Sequence, residues 1–253
     1  MSEMQMEPMA EPTPGLTQMQ RVTYTFGSPS KTFQDIERGN KSWWMPWLIM
    51  VVIAYLFFAA ITMRVGWAQV AQNVIHMDPK AEARMEQVPE NQRQISMKFT
   101  QYLTEGIFAA SPVTILIYGA IVSLVLWGTI NFIFGGKAKF GGIFAVWMYA
   151  MLPLIFKSLL GILVLFVGMA PESFNLKNSA PTNIGAFLSP TETSAALYRL
   201  ASAIDFTTIW SMILLSIGLA TVAKVKRSSG YFAVFGWWVL IVVISVGAAL
   251  VMG

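Results

Sequence analysis

The residues whose types and spacing could do chemistry are few, and they fall in two apolar runs. Lys157 is the one charge well inside such a run, and Tyr149, Pro153, Lys157 and Gly161 recur every four residues, on one side of a helix. Pro153 removes the backbone bond to the Tyr149 carbonyl, which predicts a kink. A lysine at the centre of a helix in lipid costs about 2.5–3.5 kcal/mol, and it persists where it is paired, hydrated or able to extend to an interface. In the next apolar run, Asp205 opens the helix, where the helix dipole favours a carboxylate. Thr208, Ser211 and Gly218 then share a stripe on that helix, and small and hydroxyl residues let membrane helices approach closely. Tyr149, Pro153, Lys157, Asp205, Thr208 and Ser211 are therefore the candidate functional polar residues in the membrane. The simplest expectation for Lys157 is that its stem extends to an interface. Pairing with Asp205 is the alternative, because both are expected towards the same membrane face. Their sharper chemistry would be a polar pathway through the bilayer, and the plainer reading is helix packing and capping.

Other chemistries lack their residues. There is no cysteine, which removes disulfides, thiolate metal sites and thiol nucleophiles together. His76 is the only histidine, so histidine-clustered metal sites are excluded. The net charge is +4 without a concentrated basic face, so no nucleic-acid partner is expected. No catalytic residue, cofactor site or metal site is expected, and no enzyme.

The elements that must position the candidates are membrane spans. Of 253 residues, 55% are hydrophobic and 12% charged, against about 25% charged in soluble domains. The stretch from Ala203 to Arg227 has one acid at its start, a long uncharged run, then three cations, and is long enough to cross a hydrocarbon core of about 30 Å. The runs are continuous rather than alternating, so helices are predicted and not barrel strands. The fold class is all-α, a polytopic membrane bundle with five transmembrane helices at about 44–63, 112–134, 143–169, 204–223 and 231–251.

Residues 1–27 are rich in Met, Glu, Gln, Pro and Thr and read as a disordered cytoplasmic tail. Residues 28–42 read as a juxtamembrane interfacial helix, with Ser28-Pro29 as its start, Gly39 as its stop, and Phe33 and Ile36 on its apolar face. Residues 43–252 form the five-span membrane domain, entered through a belt of Trp43, Trp44 and Trp47. Between the first two spans, a segment from Arg64 to Gly106 reads as helices broken near Pro79 and Pro89 that lie on the membrane. The link from Gly135 to Gly142 reads as a flexible connector. Ser189-Pro190-Thr191-Glu192 reads as a capping box opening an interfacial helix that carries Leu197, Leu200, Ala201 and Ile204. Lys31, Arg38 and Lys41, Lys137 and Lys139, and Lys224, Lys226 and Arg227 mark three basic segments on one side of a five-span protein. The N-terminus is therefore expected in the cytoplasm and the C-terminus on the opposite side.

Four stretches carry a family resemblance: Thr32-Phe33 with Asp35-Ile36, Trp43-Trp44-Met45-Pro46, Pro153 inside the third span, and Asp205-Phe206 with Ile209-Trp210 and Gly218 in the fourth. With the span spacing, the chain resembles the YIP family of Ypt/Rab-interacting membrane proteins, in its prokaryotic branch, over about residues 30 to 250. The resemblance implies a membrane fold and a bacterial cytoplasmic membrane location. Eukaryotic members are implicated in vesicle traffic and interact with lipidated Rab GTPases. Their cytosolic acidic, aromatic and Gly-Pro motif is missing from residues 1–42 here, so a GTPase partner is not expected. The leading expectation is a non-enzymatic membrane organising or partner-binding protein. Its partners would be the lipid bilayer and other membrane proteins or further copies of this chain. The alternative is a small transporter or channel component with a polar face in spans three and four.

Overall fold

The computed structural model describes residues 15–252. Five helices are long and apolar enough to cross a membrane: Trp44–Arg64, Ser111–Ile133, Phe140–Val167, Phe206–Ala223 and Arg227–Val251. The all-α, five-span reading therefore holds, and among the described residues the only strand-like pairing is an isolated antiparallel bridge between Asn183 and Asp205. Two short helices, α1 (Gln18–Gly27) and α2 (Pro29–Glu37), precede the first span, α3 (Trp44–Arg64). A second group follows it: α4 (Trp67–His76), α5 (Pro79–Glu86) and α6 (Glu90–Ala109). The breaks fall at Pro79 and Pro89, as expected. The second span is α7 (Ser111–Gly128), running on through a π-helical turn over Thr129–Ile133.

The third span is two helices, α8 (Phe140–Ala150) and α9 (Leu154–Val167), separated by a tight turn. Pro153 is the cause. It has no N–H to give, so the Tyr149 carbonyl accepts from the nearer Leu152 amide at 3.2 Å, and Leu154 and Ile155 bond three residues back. A short helix, α10 (Ala195–Ala203), then precedes α11 (Phe206–Ala223) and α12 (Arg227–Met252). The sequence misplaces the start of α10. Ser189 does accept from the Glu192 amide, but this closes only a turn, and the helix is capped five residues later by Ser194.

The core centres on α8, every residue of which from Gly142 to Ala150 is buried. A central position this crowded requires small neighbours. A Cβ at Gly119 on α7 would collide with the Trp147 ring, and one at Gly218 on α11 would collide with Val146 and Phe33. A second cluster at the opposite end joins Phe57 and Ile61 of α3, Trp67 and Val70 of α4, Leu165 of α9 and Phe174. We call this the long-loop end, and the end holding the 134–140 and 224–226 links the short-loop end.

Three expectations need correction. The link from Gly135 to Gly142 is pinned rather than loose: the Asn131 side chain exchanges two hydrogen bonds with the Ala138 backbone, and the Lys137 amide donates to the Ala223 carbonyl. The apolar face of helix α2 is turned to protein rather than to lipid, with Phe33 and Ile36 buried against the bundle. Residues 18–27 are helical rather than disordered, opened by a Thr17–Gln20 capping box, while residues 1–14 of the expected tail lie outside the described residues. The reason is a buried polar network that a hydrophobicity reading does not register. The Arg21 guanidinium is wholly buried, 3.5 Å from the Asp35 carboxylate, and its Nη1 donates to the carbonyls of Asn40 and Ser42. The Thr25 and Thr32 hydroxyls donate to the Arg21 carbonyl. Asp35 also accepts from the Leu16 amide and the Asn40 side chain.

Removing one partner of a buried ion pair costs about 3–5 kcal/mol. A chain starting at Ser28 loses Arg21 and keeps Asp35, so its thermal midpoint in detergent should fall by several degrees relative to a chain starting at Gly15. Equal midpoints would show that α1 contributes nothing to the fold.

Candidate functional site

At the long-loop end, three segments converge on the Asp205 carboxylate. Asp205 precedes α11 as its N-cap and is 3% exposed. Its Oδ1 accepts from the Thr208 amide at 2.9 Å, satisfying one free donor of the helix start, and from the Thr207 hydroxyl at 2.6 Å. Its Oδ2 faces the other way and accepts from Lys157 Nζ at 3.0 Å and the Thr182 hydroxyl at 2.6 Å. The Phe206 amide donates to the Thr182 carbonyl, which ties the same loop to the helix through the backbone. Lys157 sits just after the Pro153 turn, which sets the direction of α9. Its side chain is only a quarter exposed, so the charge is met by pairing rather than by reaching water alone.

The carboxylate is the inner end of a longer chain of polar contacts. Asn183 Nδ2 lies 3.5 Å from Asp205 Oδ2 and donates to Asn178 Oδ1 at 3.0 Å. Asn178 donates in turn to the Tyr198 hydroxyl at 2.7 Å and to Ser202 Oγ at 2.9 Å, and Asn175 also donates to Tyr198, at 2.8 Å. The polar loop from Pro171 to Ser189 is thereby stitched to α10 and α11 in one network.

The other sequence candidates are placed apart from this centre. Tyr149 lies before the Pro153 turn and belongs to the buried network of α1. Its hydroxyl donates to Gln18 Oε1 at 2.8 Å, and the Arg21 guanidinium lies over its ring at 5.3 Å. The turn over 151–153 therefore separates Tyr149 from Lys157, which a straight helix would place on one face. Thr208 contributes its backbone amide. Ser211 is buried, and its hydroxyl has no hydrogen-bond partner among the described residues. Leu152, between Tyr149 and Lys157 in the chain, is buried, as are Met212 and Leu215 on the fourth span.

Sequence reading missed Arg21, Asp35, Thr182, Asn178, Asn183 and Tyr198. A signal existed for some of them. Asn175, Asn178 and Asn183 crowd three amides into one short loop, and Thr17 and Gln20 have the spacing of a capping box. For metal chemistry, no group of three or more His, Asp or Glu side chains converges among the described residues.

The model of one protein family, described as the Yip1 domain, matches residues 24–250, which runs from within α1 nearly to the end of α12. No curated protein and no solved structure matches the chain.

The ion pair is tested by a double-mutant cycle on Lys157→Met and Asp205→Asn, scored by stability in detergent. Residues in direct contact couple by about 0.5–3 kcal/mol, so the double variant should be less damaged than the two single losses added together. Additive losses would show that the two side chains do not act as a pair.

Proposed function

The chain belongs to the Yip1 domain family, and from that membership we propose that it is a non-enzymatic integral membrane protein that organises or binds partners within the bilayer. The observation that carries this reading is how the buried charges are spent. A general base or nucleophile needs a lone pair or proton facing a substrate. The Asp205 oxygens instead receive Lys157, Thr182, Thr207 and the Thr208 amide, and in doing so join α9, the loop before α10, and α11. Arg21 and Asp35 likewise pair with each other, and Arg21 Nη1 is given to the Asn40 and Ser42 carbonyls. One surface open to binding is the apolar perimeter. Ile117, Ile121 and Leu124 on α7 and Leu240, Val243 and Ile244 on α12 are exposed, and in a bilayer they would meet lipid or another helix. On the α12 perimeter, nothing lies within 4 Å of where a Cβ would stand at Gly236 or Gly247, which supports close approach by a second membrane helix.

The chain of polar contacts from Asp205 to Tyr198 favours a second reading, a small transporter or channel component. Its path would enter at the long-loop end and reach Lys157 through the Asp205 carboxylate.

We also place the N-terminus in the cytoplasm and the C-terminus across a bacterial cytoplasmic membrane. The basic segments gather at one end: Lys224 pairs with Glu37 at 2.7 Å, and the Lys137 amide meets Ala223. The absence of cysteine allows single introduced cysteines to report this directly. In intact cells, a reagent that cannot cross membranes should label Gln92→Cys and Thr191→Cys and spare Ser228→Cys, all three positions being exposed. Labelling of Ser228→Cys would reverse the orientation. Function is tested separately. In native membranes, a photo-crosslinker at Gly236 should trap a second membrane protein or a second copy, and reconstituted protein should pass no more ions or protons than empty vesicles. Saturable flux that Lys157→Met abolishes would replace the leading reading with the second.

A further inference from the structure

A cavity of about 860 Å³ opens at the long-loop end, between the turn joining α4 to α5, the loop around Asn175, helix α10 and the end of α12. Its size is that of a small-molecule site. Lys80, Arg84, Lys177 and Arg199 line it, against a single acid, Asp78. Asp78, held as the cap of α5 by the amides of Lys80 and Ala81, offsets one of the four charges and leaves the lining cationic. None of the four cations makes an ion pair with a carboxylate among the described residues, and Arg199 donates only to the Ser245 carbonyl, at 3.0 Å. Four like charges around one space raise each other's cost, which a bound anion would relieve.

The rest of the lining is of two kinds. One side is the hydrogen-bonded floor of Asn175, Asn178, Tyr198 and Ser202, rich in donors and acceptors. The other side is apolar, and it ends at Ala249 and Leu250 of α12. Leu250 and the neighbouring Val251 are largely exposed, so this wall runs out onto the perimeter of the span. A basic rim, a polar floor and an apolar exit suit a ligand with a charged head and a hydrocarbon tail.

We propose that this cavity binds the anionic, phosphate-bearing headgroup of a membrane lipid, with its chains leaving along α12. The inference goes beyond the organising or partner-binding reading and requires no protein partner. A phosphate could also arrive on a soluble ester, and the two sources separate experimentally. The full chain is purified in zwitterionic phosphatidylcholine micelles and its thermal midpoint followed during titration with phosphatidylglycerol, and separately with sn-glycerol 3-phosphate. Phosphatidylglycerol should raise the midpoint saturably. Lys80→Gln/Lys177→Gln removes two exposed side chains that make no side-chain hydrogen bond or ion pair among the described residues, so its midpoint without added ligand should equal wild type. Its apparent affinity should fall about tenfold or more, as expected when two cations facing an anionic headgroup are lost. Lys137→Gln/Lys139→Gln, with the same loss of charge at the other end, should bind as wild type does. If glycerol phosphate alone reproduces the shift and its loss, the anion site stands and the lipid source is overturned. Equal weakening in both double variants, or no preference over added phosphatidylcholine, overturns the site.

Discussion

A bilayer core offers no water to a buried charge, so each charge placed there must find its counter-charge and hydrogen bonds within the protein. At Asp205 this constraint is met by convergence. One carboxylate caps a spanning helix, neutralises Lys157 from the span before it, and holds the loop between the two through Thr182. The geometry of the long-loop end follows from it. Asn183 bridges Asp205 to Asn178, and Asn178 bridges onward to α10, so two loop amides link the carboxylate to that helix. Replacing a buried ion pair by apolar side chains is often neutral for stability, since desolvation offsets much of the Coulombic gain. What an apolar pair would not supply is the direction of the hydrogen bonds that orient the loop.

The short-loop end solves the same problem with different parts. Helices α1 and α2 are polar by composition, yet they fill space against α8 and α11: Arg21 pairs with Asp35 and gives Nη1 to two backbone carbonyls, while its Nε and Nη2 make no hydrogen bond among the described residues. The apolar contribution comes from Phe33 and Ile36, and Gly218 makes room for the Phe33 ring.

The spans were legible because each is a continuous apolar run, and their bounds fall within a few residues of the observed helices. The Pro153 break was legible because proline removes a specific donor. The Lys157–Asp205 contact was only half legible. Depth along the membrane could be counted, whereas the rotation of α9 against α11 is set by packing that no single run encodes. The turn at 151–153 also separated Tyr149 from Lys157, which four-residue spacing alone had grouped. Helix α1 was illegible to hydrophobic reasoning, since its buried face is Arg21 and Thr25. The asparagine chain was visible as composition but not as connectivity, because loop amides acquire partners only after α10 is placed.

The Lys157–Asp205 contact spans 48 residues of chain, and that separation has a consequence in time. Synthesis proceeds at about 5–20 residues per second, so Lys157 leaves the ribosome roughly 2–10 s before its partner exists. During that interval the newborn third span carries an uncompensated ammonium. Its counter-charge arrives only once the following loop and the start of the fourth span have been made. The third span must therefore hold a lone charge through that interval, before the contact that answers it can close.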